Sequence, residues 1–116
     1  MMAKEQLERF YAENVLSILQ RLARYKTRRA SFVYRRSRHS WLDRGLNYAL
    51  ERSMLVEALR LLGVPFEEDK RRKRSIITVL DTDLLRERLA SADLESTLDR
   101  AYRAALARLW GRQRRA

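Results

Sequence analysis

Apolar residues recur at four- and three-residue steps along the first part of the chain: Leu7, Tyr11, Val15, Ile18, Leu22 and Tyr25, with Phe10 and Leu19 widening the stripe. This period predicts a helix over about 3–25. Glu5, Glu8 and Glu13 stand early in it and Arg21, Arg24 and Lys26 late, the order that the helix dipole favours. A stripe this broad has to pack on something. Residues 27–39 carry two conflicting periods, because Phe32, Val33 and Tyr34 suit a strand while Tyr25, Arg29, Phe32 and Arg36 fall on helical spacing. The segment reads as irregular or weakly extended. Ser40 then stands as an N-cap with Asp43 three residues on, opening a second helix over about 41–62. Leu55, Val56, Leu59 and Leu62 carry its apolar surface nearly all the way round, the pattern of a central, buried helix.

Gly63 and Pro65 form a firm boundary, since glycine accepts the left-handed conformation that ends a helix and proline cannot resume one. Between Val64 and Leu80 two short strand-like runs flank a charged middle, which predicts a β-hairpin at about 64–80 with Lys70, Arg71, Arg72, Lys73 and Arg74 at its tip. A two-stranded hairpin is marginal by itself, so it is expected to lean on a helix. Asp81 or Thr82 caps a third helix with Leu84, Leu85 and Leu89 inward, and the chain pauses near Ser91. From Asp93 the helical period returns through Leu94, Leu98, Ala101, Tyr102, Ala105 and Leu109 to Trp110, with Gly111 expected to end the helix and residues 111–116 to form a basic tail. The sum is a single domain over 1–116, mainly α with a minor α+β component: about four helices with one basic β-hairpin inserted between the second and third.

Composition sharpens this picture at two points. The chain contains no cysteine and one histidine, His39, so disulfides, thiolate nucleophiles and Cys- or His-rich metal sites have no residues to form from. No cofactor or metal is expected. No apolar run approaches the roughly 18 residues of a membrane span, and MMAKEQLERF lacks the apolar core of a signal peptide; no membrane contact and a cytoplasmic, nucleoid- or nucleoprotein-associated location are expected. Charge is the second point. Twenty-six basic residues, 22 of them arginine, stand against fifteen acidic ones, a net charge of +11. Arginine presents a rigid, permanently charged fork that matches phosphate oxygens and also stacks on bases.

The positive charge comes in blocks. Between Glu13 and Asp43 lie twenty-nine residues without a carboxylate, holding Arg21, Arg24, Lys26, Arg28, Arg29, Arg35, Arg36 and Arg38. The hairpin tip is the second block, and Arg108, Arg112, Arg114 and Arg115 are the third. Like charges repel unless an outside polyanion neutralises them, and a phosphate backbone does so while releasing counterions. A short basic hairpin tip also blunts a sheet edge and keeps it soluble, a purely structural use. Among the aromatic residues, Phe32, Tyr34 and Trp41 suit half-buried core positions as well as base stacking, and Tyr34, between Val33 and Arg35, is the one expected at the surface.

Nothing in the chain supports catalysis. His39 lacks a second acid or base partner, Glu67, Glu68 and Asp69 read as a locally paired turn, and three glycines make no phosphate loop. The function expected is therefore non-enzymatic nucleic-acid binding, DNA before RNA, by coating the backbone. The residues expected to carry it are Arg24, Arg28, Arg29, Tyr34, Arg35, Arg36, Arg38, Lys70, Arg71, Arg72, Lys73 and Arg74. Two other classes fit the same charge: an RNA–protein assembly or viral nucleocapsid subunit, and a basic module that binds or inhibits an acidic protein. The order of a long helix followed by a basic hairpin, over about forty residues, resembles the recognition helix and wing of winged-helix proteins, although this helix is longer and more apolar. The resemblance implies that the tip reaches a groove or the adjacent phosphates while a few arginines fork onto guanine. A coating role also implies homo-oligomers, for which the apolar stripe of the last helix is the expected surface.

Overall fold

Helix, strand, helix, hairpin and two further helices follow one another along the chain. A computed structural model describes residues 4–35, 48–72 and 74–115. The elements are α1 (Lys4–Ala23), β1 (Ala30–Arg35), α2 (Tyr48–Leu62), β2 (Phe66–Lys70), β3 (Arg74–Val79), α3 (Thr82–Ser91) and α4 (Leu94–Arg115). The mainly helical architecture with a hairpin between the second and third helices is the one the periodicity predicts. Ser40 and Trp41, read as the start of the second helix, lie outside the described residues, as does His39.

Helix ends follow local chemistry. At the end of α2 the Gly63 amide donates to the Arg60 carbonyl at 3.1 Å and the Val64 amide to the Leu59 carbonyl at 3.0 Å. Gly63 has φ +71°, so this paired closure uses the left-handed conformation that glycine adopts without steric cost. The Asp81 side chain accepts from the Leu84 amide at 3.0 Å and caps α3. Asp93 caps α4 in the same way through the Ser96 amide at 3.2 Å. Gly111 behaves differently from its expectation: α4 runs through it to Arg115. Glycine in a helix interior costs about 1 kcal/mol but does not stop the helix by itself, and no proline follows it here.

Residues 27–39 hold the main correction to the sequence reading. Ala30–Arg35 form a strand that pairs antiparallel with β3, giving a three-stranded sheet of order β1-β3-β2 in place of a lone hairpin. The partner lies between 39 residues (Arg35 to Arg74) and 49 residues (Ala30 to Val79) away in sequence, so neither local period could reveal it. Pairing also satisfies the backbone groups along the second edge of β3, which a two-stranded hairpin leaves open. Side chains alternate as a half-buried sheet requires: Ala30, Tyr34, Ser75, Ile77 and Val79 are buried, whereas Ser31, Val33 and Arg74 are exposed.

The inner face of the sheet joins one core with the helices, around α2. Met54, Leu55, Ala58 and Leu59 are completely buried there, each leucine contributing about 1.5–3 kcal/mol by leaving water. Helix α4 packs chiefly on α2, and its stripe of Leu98, Ala101, Tyr102 and Ala105 is buried. The stripe expected to drive self-association is thus used inside the domain, a second correction.

Candidate nucleic-acid interface

The sheet decides which cations meet. Its antiparallel register sets the Cα of Arg35 opposite that of Arg74, with Tyr34 opposite Ser75 and Ser75 opposite Lys70. The Arg35 end of β1 therefore adjoins the hairpin tip, where the Arg71 amide donates to the Arg74 carbonyl at 2.8 Å to close the turn. Lys70, Arg71, Arg72 and Arg74 are all exposed. Two of the four have intramolecular partners: Lys70 Nζ lies 3.4 Å from Glu68 Oε1, and Arg71 Nε donates to Asp69 Oδ2 at 3.0 Å. Arg72 and Arg74 form no ion pair among the described residues. Arg36, Arg38 and Lys73 lie outside the described residues.

The other half of the same block points elsewhere. Arg24, Arg28 and Arg29 are exposed in the connection between α1 and β1, at the opposite end of the strand from the tip. Thr82 pins this connection by donating its amide to the Arg28 carbonyl at 2.9 Å and its hydroxyl to the Thr27 carbonyl at 2.7 Å. Six residues of strand separate the two ends, about 17–20 Å at the usual rise. What reads as one continuous basic span is two surfaces.

Tyr34 overturns its expectation. It is 4% exposed, its ring lies edge-on to Phe32 at 4.8 Å, and it belongs to the core. Its position on the inward-facing register of β1 dictates this, whatever the charge of its neighbours. The buried Glu51 carboxyl is pushed up from the usual carboxylate range by loss of water, an effect the Tyr34 hydroxyl partly offsets. Tyr34 thus supports a buried acid and presents no face to a base.

A third group of cations, on α2 and α4, joins acids of α2 and β2 in a structural clasp that the sequence did not reveal. Arg52 Nη1 meets Glu68 Oε1 at 2.6 Å, while Glu57 Oε1 receives Arg60 at 3.2 Å and Arg108 at 3.0 Å. The Arg60 guanidinium also lies 5.9 Å over the Phe66 ring. Only the Glu57–Arg60 pair, three residues apart on one helix, had a sequence signal. Arg108, read as part of a basic block, is committed to Glu57. Glu68 and Asp69 are strand residues, not turn residues, and Glu68 reaches across to α2.

Helix α2 cannot serve as a recognition helix. Leu50, Met54, Leu55, Val56, Ala58, Leu59 and Leu62 are buried, and α4 lies over it, so its described length presents little beyond Arg60 and Leu61 to a groove. Six carboxylates gather in one groove: Glu5, Glu8 and Glu13 of α1 line it with Asp93, Glu95 and Asp99 at the start of α4. The cluster at 67–69 is therefore not the main acidic surface. Among the described residues no three His, Asp or Glu side chains are placed to hold a metal ion, and no helix is long and apolar enough to cross a membrane. No protein-family model, curated protein or solved structure matches the chain.

Proposed function

We propose that the protein binds nucleic-acid backbones without catalysis, DNA before RNA, through the tip end of its sheet. The observation that carries this reading is the register that brings Arg35 beside Arg74 at an exposed turn holding Lys70, Arg71 and Arg72. These residues come from segments far apart in sequence, and the local carboxylates offset only part of their charge. Phosphates are the complementary partner for such a surface, each contact displacing condensed counterions. Burial of α2 argues for positioning on the backbone over base reading, because the helix that precedes the tip has no free face to enter the major groove. The tip then acts as a clamp on phosphates flanking a groove.

The test is binding of purified protein to duplex DNA, duplex RNA and single strands over a range of salt concentrations. Log affinity is expected to fall steeply with log salt on duplex DNA. Replacing Arg71, Arg72 and Arg74 together by Ala is expected to flatten that slope by up to about three units. A slope unchanged by these replacements removes the tip from the interface, tighter binding to RNA moves the protein to the RNA-assembly class, and no binding to any polynucleotide at low salt overturns the reading.

A further inference from the structure

The groove between α1 and the start of α4 is an acidic surface on a basic protein. Six of the fifteen carboxylates line it with one of the twenty-six cations, Arg9, so the groove balances at −5 while the rest of the chain stands at +16. Its volume is about 720 Å³, within the range of cavities that take several side chains. The lining is not only charged: Ala12, Leu16, Leu94 and Leu98 supply apolar surface between the carboxylates. Asp93 is engaged in capping α4 and Asp99 in an ion pair with Arg103 at 3.4 Å. Glu5, Glu13 and Glu95 form no ion pair among the described residues. Beside the groove the Tyr102 hydroxyl is pushed upward, first by burial and then by the charge of Glu8.

A surface of this kind fits a basic segment that carries an apolar anchor, and the chain itself has one. Tyr25 is 46% exposed, more than Val33 or Leu61, the other exposed large apolar side chains among the described residues. It is the one of the three with cations on both sides, Arg24 and Lys26, and Arg28 and Arg29 follow closely. This loop caps the C-terminal end of α1, whereas the groove lies along the first half of the same helix. At 1.5 Å per residue the two surfaces are about 20 Å apart on one rigid rod, so the loop cannot fold back into its own groove.

We propose that the groove takes the Arg24–Arg29 loop of a second copy of this chain, with Tyr25 seated on the apolar lining and the flanking cations meeting Glu5, Glu13 and Glu95. The contact joins two different surfaces, so it is heterologous and leaves a free groove at one end and a free loop at the other. Copies add head to tail in a row, with the sheet tips left available. This goes beyond backbone binding and does not depend on it. Two copies at +11 each repel over long range, but ions shorten that repulsion to about 8 Å at physiological strength while leaving close pairs largely in place. Association is therefore expected to be stronger at physiological salt than at very low salt, and to weaken again in high salt.

The experiment is analytical ultracentrifugation of nucleic-acid-free protein with two variants. One disables the loop (Arg24→Gln, Tyr25→Ala, Lys26→Gln) and the other the groove (Glu5→Gln, Glu13→Gln, Glu95→Gln); every substituted side chain is exposed, and thermal melts establish that both variants fold. The wild-type protein is expected to show mass that grows with concentration, and each variant is expected to lose about tenfold or more in self-affinity. Mixed together, the loop variant still offers an intact groove and the groove variant an intact loop. The mixture is expected to form a 1:1 dimer that does not extend. Wild-type protein that stays monomeric at all salts and concentrations overturns the proposal, and so does assembly in which the mixed variants fail to pair. Neither result bears on the tip, whose nucleic-acid binding is measured separately.

Discussion

The hairpin tip and the α2–α4 clasp are both rich in arginine, yet the two regions have opposite relations to their carboxylates. In the clasp each cation meets an acid on another element or another turn: Arg52 with Glu68, Arg60 and Arg108 with Glu57. Arg52 and Glu68 are only 14% and 19% exposed, so their attraction is not fully screened by water. At the tip Lys70 and Arg71 lean on strand neighbours while Arg72 and Arg74 have no carboxylate among the described residues. The difference teaches that the placement of acids, more than the count of bases, separates arginines that hold the fold from arginines available to a partner.

The largest expected effect separates these regions directly. Replacing the three tip arginines by Ala should lower affinity for duplex DNA most strongly at low salt while changing folding stability by less than about 0.5 kcal/mol, as for exposed charges with weak or no partners. The single replacement Arg52→Ala should do the reverse. It leaves Glu68 part-buried with Lys70 as its remaining partner, and a loss of about 1–3 kcal/mol in chemical denaturation is expected, with the salt slope of binding unchanged. If Arg52→Ala flattens the salt slope as much as the tip variant does, the division between structural and available cations is wrong.

How far this division was legible in the sequence follows from which interactions are local. Helix periods, the Gly63–Pro65 stop, the Asp81 cap and the hairpin depend on residues within a few positions of one another, and all are visible in the chain. The pairing of β1 with β3 depends on partners such as Val33 and Ile76, far apart in sequence, and the period of residues 27–39 stayed ambiguous without it. That one missing strand also accounts for where three of the expected site residues lie. Once Ala30 and Phe32 face inward, Tyr34 must follow them into the core, and Arg28 and Arg29 fall at the far end of the strand from Arg74. The acidic groove was hidden for the same reason, since Glu5, Glu8 and Glu13 meet Asp93 and Glu95 only when α1 and α4 pack together.

Among acids the comparison repeats on a smaller scale, for Glu51 is buried in the core whereas the carboxylates of Glu5, Glu13 and Glu95 are exposed. Burial raises the proton affinity of Glu51 in the folded state, so the native protein binds its proton more tightly than the unfolded chain does. The stability linked to this group is complete below the ordinary glutamate value of 4.5 and is lost as pH rises through the raised folded value. Glu51→Gln, which keeps the shape without the charge, should therefore melt higher than wild type at pH 7, and the gain should vanish toward pH 4. A melting-temperature gain that stays the same from pH 7 to pH 4 would mean that burial does not set the Glu51 proton affinity.

The smallest expected effects come from two glycines, where again the surroundings and not the residue type decide. Gly63 sits at φ +71° with no atom within 4 Å of where a Cβ would stand, so Gly63→Ala meets no obstacle in space and costs only its backbone conformation, about 1 kcal/mol. Gly111 lies inside α4, where alanine restricts the unfolded chain and favours the helix. Gly111→Ala should therefore stabilise, by up to about 0.5 kcal/mol because the site is near the helix end. Thermal melts of the two variants should move in opposite directions from wild type, with the Gly63 shift the larger. If Gly111→Ala also lowers the melting temperature, the residue ends the helix after all, and the continuous α4 that carries Arg112, Arg114 and Arg115 in its last turns gives way to a tail that begins at 111.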